Sequence, residues 1–463
     1  GANVLAVRIS HLFSDSTNPM LNTDWWKYGG ITRPVSLLLS DGPAIDRLTV
    51  TVSGEPGSPV ANVRGRVAGM RGESLRLVVR AGPEHRRRAD TSMAASADFS
   101  IPFRAGDLPR WSPDHPRLVP LAVELRDADG TVLDRARLRF GVRTVQWDGG
   151  VLRLDGRRLR LRGVNQVEEY PGRTVSPSNR WTCSPPARAV RARLLDLKRG
   201  LHGNWFRAAH YPHHPRVPAL CDELGLLMPA EIPLCYTPER ADTTAEGRRM
   251  FEELFWRDAH HPSVIMWSMG NERPTNEPAT AAGVVRLIRF AKTLDPSRPV
   301  TCVSNRGLGD RSLHAHDVLV LNEYYGVWGG TTPVTSAGLP TAARDLSREL
   351  DRLHRAFPDK PLVIGEFGTP AFPVRGNVFG GERFQAEFYR TQTRVLASKP
   401  WLSGCTAWCY TDQRIGSYRR YPVGYLGSTQ LEVFGLTDFR GRRRPAYRAL
   451  AAFYRRMRSR DRA

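Results

Sequence analysis

The pattern of apolar and polar positions changes about a third of the way along this chain of 463 residues. From about residue 43 to 142, short runs alternate apolar and polar positions, as in Leu48–Val52 and Leu121–Leu125, and Gly, Pro and Asp separate them. Such runs are typical of strands with one buried face, and several at this spacing favour a β-sandwich of roughly 100 residues. Residues 3–10 and 35–39 have a strand-like pattern as well.

From about Val151 onwards, short apolar runs alternate with segments of helical periodicity such as Ala187–Lys198 and Ala281–Leu294. Eight strands in about 300 residues is the number that a (β/α)₈ barrel needs. The predicted strands are Leu159–Val164, Asn204–Arg207, Leu226–Met228, Val264–Trp267, Val300–Val303, Val318–Leu321, Leu362–Ile364 and Cys405–Trp408. The sequence therefore predicts a multidomain fold that combines all-β and α/β parts.

Two glutamates follow predicted barrel strands: Glu272 comes after the fourth and Glu366 after the seventh. A buried strand cannot carry an ionised carboxylate in its core, but the loop past its C-terminal end can. In a parallel barrel all these ends open onto one face. Two carboxylates across such a mouth are what glycoside hydrolysis requires, as proton donor and as nucleophile or base. Either glutamate alone fits a surface position equally well, but the pair in this setting favours an active site.

The chain carries a formal net charge of +22, and only five of its 68 basic residues are lysines. A nucleic-acid-binding protein usually concentrates such charge on one face. Here the arginines are spread along the whole length, which favours a solvated surface and predicts no nucleic-acid partner; nucleic-acid association remains an alternative on charge alone. No run of 18 apolar residues occurs, so no membrane span is predicted.

Neither a metal nor another cofactor is predicted. The histidine pairs His213-His214 and His260-His261 have no third ligand at a useful spacing. No Cys-x-x-Cys pair occurs, and buried free thiols are expected at Cys183, Cys221, Cys235, Cys302, Cys405 and Cys409. The chain starts at Gly1 with a strand-like pattern, so we expect that preceding residues are missing. Because a signal peptide can be lost with them, the compartment is not predicted.

Four motifs occur in an informative order: Asp24-Trp25-Trp26-Lys27-Tyr28-Gly29-Gly30-Ile31-Thr32-Arg33, Trp111-Ser112-Pro113-Asp114-His115-Pro116, Phe140-Gly141-Val142-Arg143 and Leu161-Arg162-Gly163-Val164-Asn165. With these motifs and the two glutamates, the chain resembles family 2 of the glycoside hydrolases, which contains β-galactosidases and β-glucuronidases. Each motif is weak alone, and their order makes them specific. The resemblance implies a remnant of a sugar-binding jelly roll over residues 1–42, an immunoglobulin-like β-sandwich over 43–142 and a catalytic (β/α)₈ TIM barrel over 143–463.

The resemblance also implies roles for single residues. Glu272 matches the general acid/base of the family and Glu366 its nucleophile. Six further residues match positions of the sugar site: Asn165, Arg207, His210, Asn271, Tyr324 and Trp408. Among them Arg207 is expected to orient the nucleophile, Asn271 to bind the substrate 2-hydroxyl and Trp408 to offer an aromatic platform. The box Asn165-Gln166-Val167-Glu168 departs from the family's Asn-Arg-His-Glu, so one polar subsite contact is expected to be lost. No role is assigned to Glu231 or Glu323.

The implied function is retaining exo-hydrolysis of a terminal β-linked sugar, from an oligosaccharide or another glycoside, through a covalent glycosyl-enzyme. Glucuronidases of the family carry an Asn-x-Lys pair before a glycine in the loop after the eighth strand, whereas this chain has Glu432-Val433-Phe434-Gly435. Glu432 would oppose a substrate carboxylate, so a neutral glycone of the β-galactoside type is predicted, with β-glucuronide as the alternative. A non-catalytic carbohydrate-binding scaffold is the alternative of another class. A homo-oligomer is left open.

Overall fold

The computed structural model describes residues 4–462, with the exception of 11, 13, 15, 16, 21, 22, 24, 73, 83–86, 94–96, 172–180, 183, 184, 328–334, 372–380 and 415–430. The strands are β1 (Ala44–Ser53), β2 (Val60–Ala68), β3 (Leu75–Ala81), β4 (Arg87–Met93), β5 (Asp98–Arg104), β6 (Val119–Arg126), β7 (Val132–Phe140), β8 (Val145–Gln146), β9 (Arg153–Leu154), β10 (Arg157–Arg158), β11 (Leu161–Gln166), β12 (Tyr170–Pro171), β13 (Trp181–Thr182), β14 (Trp205–Ala208), β15 (Met228–Glu231), β16 (Val264–Asn271), β17 (Val300–Val303), β18 (Leu319–Asn322), β19 (Leu362–Phe367), β20 (Gly404–Ala407), β21 (Gln413–Arg414) and β22 (Leu431–Glu432). The helices are α1 (Ala187–Arg199), α2 (Arg216–Leu224), α3 (Thr243–Asp258), α4 (Pro278–Leu294), α5 (Leu339–Ala356), α6 (Glu382–Ala397) and α7 (Pro445–Arg462).

The first seven strands form a β-sandwich. One sheet has the order β1-β2-β5 and the other the order β4-β3-β6-β7, and all their pairings are antiparallel. The alternation of apolar and polar residues predicted one buried face for each strand, and β6 shows it: Leu121, Val123 and Leu125 all lie in the core between the sheets. The immunoglobulin-like topology and the domain limits at residues 42 and 142 stay predictions.

The strand prediction for the first forty residues is wrong where the structure describes them. Residues 4–10 and 35–39 form no strand, and their apolar side chains are exposed, with Val4 at 91% and Leu38 at 86%. An alternating pattern produces a strand only where a neighbouring backbone completes the hydrogen bonds. Asn3 and Asp24, which belong to the predicted strand and motif, lie outside the described residues.

Eight parallel strands close into a barrel within the described part of the chain. One sheet has the order β14-β11-β20-β19-β18 and another the order β15-β16-β17. Parallel bridges from Trp205 to Leu227 and from Ser304 to Leu321 join the two sheets at both edges. All eight predicted strands are confirmed within a few residues. One difference concerns Glu366, which lies inside β19 rather than after it.

The sandwich is fixed to the barrel on the side where the barrel strands begin. The buried guanidinium of Arg143 donates to the carbonyl oxygens of Pro262 at 3.0 Å and Val264 at 2.7 Å, just before and at the start of β16. The indole nitrogen of Trp111 donates to the carbonyl oxygen of Asp222 at 2.9 Å. These contacts leave the opposite face of the barrel, where the strands end, free for a site.

Buried free thiols are confirmed for five cysteines: Cys221, Cys235, Cys302, Cys405 and Cys409. Cys183 lies outside the described residues. Across the described ranges, no helix combines the length and the apolar character needed to cross a bilayer.

Candidate active site

Glu366 is aimed into the barrel mouth by an irregularity in β19. The register of β19 shifts between Ile364 and Phe367 against β20, and near Asn322 against β18. At Gly365 a Cβ atom would lie 2.7 Å from Oδ1 of Asn322, so only glycine fits this close approach. Such a bulge turns the following side chain out of the regular alternation. The Glu366 carboxylate accepts hydrogen bonds from Arg207 Nη1 at 2.6 Å and from the Tyr324 hydroxyl at 2.7 Å.

Glu272 follows β16 and is also placed by an unusual backbone. Its φ of 47° is left-handed, and its backbone N–H donates to the carbonyl oxygen of Val303 at 2.8 Å. Two residues earlier, Gly270 has a φ of 122°, and a Cβ there would lie 2.3 Å from the Leu234 carbonyl oxygen. The partly exposed Glu272 carboxylate accepts hydrogen bonds from the amides of Asn305 at 2.6 Å and Asn322 at 2.7 Å.

One hydrogen-bond network joins the two carboxylates. The Asn322 amide, besides contacting Glu272, donates to Oδ1 of Asn271 at 3.2 Å. Arg207 Nη2 donates to the same oxygen at 2.8 Å, while Nη1 of Arg207 holds Glu366. The structure thus brings together four strand ends that are far apart in the sequence.

Arg207 is itself held by Glu231, a residue for which no role was predicted. Arg207 Nη2 lies 3.0 Å from both carboxylate oxygens of Glu231, and the Ser268 hydroxyl donates to Oε2 at 2.8 Å. Burial alone would raise the pKa of Glu231, but the charge of Arg207 and the contact with His210 lower it to about 2. In turn, Glu231 and Glu366 outweigh burial and raise the pKa of the Arg207 guanidinium. The position of Glu231 at the end of β15 is the signal that could have identified it.

Asn165 departs from the expected contact with substrate. Its side chain is fully buried, and its amide donates to the carbonyl oxygens of Gly365 at 2.8 Å and Ala407 at 3.2 Å. Its oxygen accepts from Arg207 Nη1 at 3.0 Å. Because protein groups occupy both ends of the amide, we assign Asn165 to positioning Arg207 and Gly365 rather than to binding sugar.

His210 lies between the charged network and an aromatic cluster. Its Nδ1 is 3.2 Å from Arg207 Nη2, and its Nε2 is 3.8 Å from Oε1 of Glu366. Its ring stacks on Trp408 with a centroid distance of 5.2 Å and an interplanar angle of 19°, and Trp25 packs at 5.5 Å. Trp408 is only 3% exposed, and the sugar-platform role stays a prediction. The position of Trp25 beside His210 was not predicted.

The segment around Trp25 is anchored across the barrel mouth by two adjacent carboxylates, Glu168 and Glu169. The Tyr28 hydroxyl donates to Oε1 of Glu169 at 2.9 Å, and Arg414 Nε donates to the same oxygen at 2.7 Å. Arg33 forms an ion pair with Glu168. Burial, which Arg33 offsets only in part, raises the pKa of Glu168 to about 7. An N-terminal segment therefore contributes to the wall of the site.

The described residues contain no group of three His, Cys, Asp or Glu side chains suited to a metal ion. The polar groups that the described site does contain are its carboxylates, its guanidinium, its amides and its phenol. Two carboxylates at strand ends, one held by a cation and one by amides, are the groups of a two-carboxylate glycosidase.

Comparison with known families supports the same interpretation. The family model described as "Glycosyl hydrolases family 2, TIM barrel domain" matches residues 145–404. The chain belongs to glycoside hydrolase family 2. A curated relative, the β-glucuronidase of Paenibacillus borealis, is 27% identical over 407 residues, which cover 84% of this chain and 64% of the relative. The human β-glucuronidase is 28% identical over 354 residues, which cover 75% of this chain and 52% of the relative. The chain thus spans about half to two thirds of the length of these relatives.

Solved structures agree on the fold of this family 2 member. The β-galacturonidase of Eisenbergiella tayi bound to galacturonate superposes with a TM-score of 0.83 at 22% identity, covering 97% of this chain and 78% of the other. The β-glucuronidase of Ruminococcus gnavus in complex with D-glucuronic acid gives a TM-score of 0.77 at 21% identity, covering 93% of this chain and 71% of the other.

Proposed function

We propose that this protein is a retaining exo-β-glycosidase that removes a terminal β-linked uronic acid. The observation that carries the proposal is the network that links the Glu272 and Glu366 carboxylates through Asn322, Asn271 and Arg207. A retaining glycosidase needs two carboxyl groups about 5–5.5 Å apart, facing opposite sides of one glycosidic bond. A non-catalytic scaffold has no need of a buried cation aimed at one of them.

In the proposed mechanism, Glu366 attacks the anomeric carbon while Glu272 donates a proton to the departing oxygen. Arg207 and Tyr324 hold the two oxygens of Glu366, so the attacking group is fixed in direction and its charge is balanced before substrate arrives. In the second step, Glu272 takes a proton from water, which then releases the sugar from Glu366. The amide nitrogen of Asn271 is the group proposed to meet the substrate 2-hydroxyl, since its partner among the described residues is the Cys235 sulfur at 3.5 Å, a weak acceptor.

The proposal of a uronic acid as the substrate sugar replaces the prediction of a neutral glycone. That prediction assumed that Glu432 faces the sugar. However, Glu432 is 3% exposed, and its oxygens accept from Trp408 Nε1 at 3.0 Å and Gln413 Nε2 at 2.6 Å. A carboxylate held in this way is directed at its protein partners, so it gives no reason to exclude a uronate. The two curated relatives described above are β-glucuronidases, which favours the alternative over the β-galactoside.

We propose Lys27 as the cation that meets the substrate carboxylate. Lys27 lies two residues from Trp25, which packs on His210. Burial lowers the pKa of Lys27 to about 8, so the ammonium is still mostly protonated at pH 7. Removing a charge-assisted hydrogen bond of this kind costs about 1.5–3 kcal/mol. We therefore expect Lys27→Met to lose roughly tenfold or more on a β-uronide and little on the matching neutral glycoside.

The test combines a substrate panel with covalent labelling. Nitrophenyl β-glucuronide, β-galacturonide and β-galactoside are compared by kcat/KM, and the 2-fluoro analogue of the best substrate is used to trap the intermediate. The label is expected on Glu366, with product released in the β configuration. Glu323→Gln is the control variant. Its turnover and its labelling at Glu366 should match those of the unaltered protein, because the neighbouring Glu323 carboxyl has no part in the proposed chemistry. A label elsewhere or an inverted product refutes the mechanism, and a clear preference for β-galactoside refutes the uronide.

A further inference from the structure

A groove of about 720 Å³ lies on the outer face of the larger sandwich sheet, remote from the catalytic mouth. We call it the arginine groove and define it by Arg80, Ala122, Glu124, Arg135, Arg137 and Arg139. These residues alternate with the core residues of β3, β6 and β7, so their side chains share the solvent face of the sheet. With four arginines and one glutamate, the groove has a net charge of +3.

The charges of the groove are only partly balanced by the protein. Glu124 contacts Arg135 at 2.7 Å and Arg80 at 3.5 Å, as well as Arg126 at 2.5 Å, so one carboxylate serves three guanidinium groups. Among the described residues, the side chain of Arg137 has no hydrogen-bond or ion-pair partner, whereas its backbone pairs with Ala122. A concentration of like charge at this spacing is unfavourable unless an anion neutralises it.

The geometry suits an extended anion. On β7, Arg135, Arg137 and Arg139 alternate along one face, so their Cα atoms are roughly 7 Å apart. They stand opposite Glu124, Ala122 and Pro120 of β6, and the small Ala122 leaves space beside Arg137. Guanidinium groups bind carboxylates through two parallel hydrogen bonds, which makes arginine better suited than lysine to this purpose.

The groove meets the barrel on the side opposite the mouth. Arg139 contacts Glu223 at 2.9 Å, and Glu223 lies near the end of α2, just before β15 begins. A chain bound in the groove therefore leaves the ends of the barrel strands unobstructed. No aromatic ring lines the groove within the described residues, so it lacks the stacking surfaces that single-stranded nucleic acid uses.

We propose that the arginine groove is an ancillary binding site for an acidic glycan, namely a chain of uronic acid units. This inference rests on the proposed function, since it extends the uronide preference of the mouth to the polymer that carries such units. Holding the polymer at a second site raises the local concentration of chain ends around the enzyme. The groove thus acts on polymeric substrate and leaves small glycosides unaffected.

The test measures binding of a β-1,4-linked oligoglucuronate of about ten sugars by titration calorimetry at 100 mM salt. The triple variant Arg135→Thr/Arg137→Thr/Arg139→Thr keeps residues of high strand propensity and is expected to lose at least tenfold in affinity. The control variant Arg344→Gln/Arg348→Gln/Arg352→Gln removes the same charge from exposed positions of α5 and should lose less than twofold. Arg137→Thr alone breaks no ion pair; it should lose about threefold and serves if the triple variant does not fold.

Three results would overturn the proposal: no binding by the unaltered protein, equal losses in the two triple variants, or duplex DNA of equal charge binding as tightly with the same dependence on the groove. Turnover of nitrophenyl β-uronide is measured in parallel and should be the same in all these variants. An inactive protein that still binds the oligomer through the groove would reject the proposed function and keep the groove. An active protein that does not bind the oligomer would keep the proposed function and reject the groove.

Discussion

Replacing Glu231 by glutamine tests whether the buried Arg207 has to be held by a charge. Glutamine keeps the size of the side chain and one acceptor oxygen, and so imitates a permanently protonated carboxyl. In the native site Glu231 faces both Arg207 Nη2 and the Ser268 hydroxyl. The substitution removes the counter-charge of a guanidinium that also holds Glu366 and Asn271.

The size of the effect follows from the pKa of Glu231, which is lowered from 4.5 to about 2. At about 1.36 kcal/mol per unit, this difference corresponds to about 3 kcal/mol in favour of the ionised form. Removing one partner of a buried ion pair costs about 3–5 kcal/mol, which agrees. Because the folded pKa is depressed, the contribution is complete above about pH 4.5 and is lost as the pH falls towards 2. At pH 7 the variant should therefore lack all of it.

Urea unfolding at pH 7 should show a loss of about 3 kcal/mol in the barrel transition, and kcat/KM should fall by at least a hundredfold because Arg207 no longer holds Glu366 in place. Asp295→Asn is the matched control, since Asp295 is also fully buried and paired with an arginine, Arg298, but lies outside the mouth. The control should lose stability and keep its activity. If Glu231→Gln loses stability but retains the kcat/KM of the control, Glu231 does not position the catalytic arginine.

Three further outcomes can be measured. Glu272→Ala should impair substrates with poor leaving groups far more than activated aryl glycosides, and azide should restore turnover by replacing water; equal losses without an azide effect would reject the acid/base role. Burial raises the pKa of Glu323 to about 8, so the stability of the native protein should decline between about pH 4.5 and 8. Thermal unfolding of Glu323→Gln should lack this decline, and the same dependence of stability on pH in both proteins would contradict the prediction. Trp25→Ala should lower kcat/KM about tenfold by loosening His210, and Trp25→Phe should restore most of it. Trp401→Ala, which lies away from the mouth, should change kcat/KM little. An unchanged kcat/KM in Trp25→Ala would show that the N-terminal segment has no part in catalysis.

The barrel could be predicted from the sequence because each of its strands is buried on both faces. A run such as Val264–Trp267 has to be apolar throughout, and that requirement leaves a strong local signal. The first forty residues gave an equally apolar pattern at residues 35–39 without a strand. The barrel strands and residues 35–39 differ in pairing, because a strand also needs a neighbouring backbone with which to form hydrogen bonds. The apolar pattern of one segment carries no information about that neighbour.

The positions of the two glutamates at the barrel mouth could be predicted from the sequence, whereas the contacts that support them could not. Glu272 and Glu366 end apolar runs, so their positions at the mouth follow from local rules. The positioning of Arg207 by Asn165 and Glu231 depends on the register of three neighbouring strands, and the sequence does not contain it in readable form. The misjudged Glu432 has the same cause, since its hydrogen bond to Trp408 is made only in the folded chain.

The unequal settings of the two carboxylates bear on their proposed roles without any appeal to the family. Glu366 lies within a strand, 3% exposed, and a guanidinium and a phenol fix its two oxygens. A nucleophile needs such a setting, because it attacks as the carboxylate and must not change direction between turnovers. Glu272 lies in a loop, partly exposed, and accepts from the neutral amides of Asn305 and Asn322. An acid that must exchange its proton with water in every cycle needs this access, so exchanging the two roles would leave each carboxyl in the wrong environment.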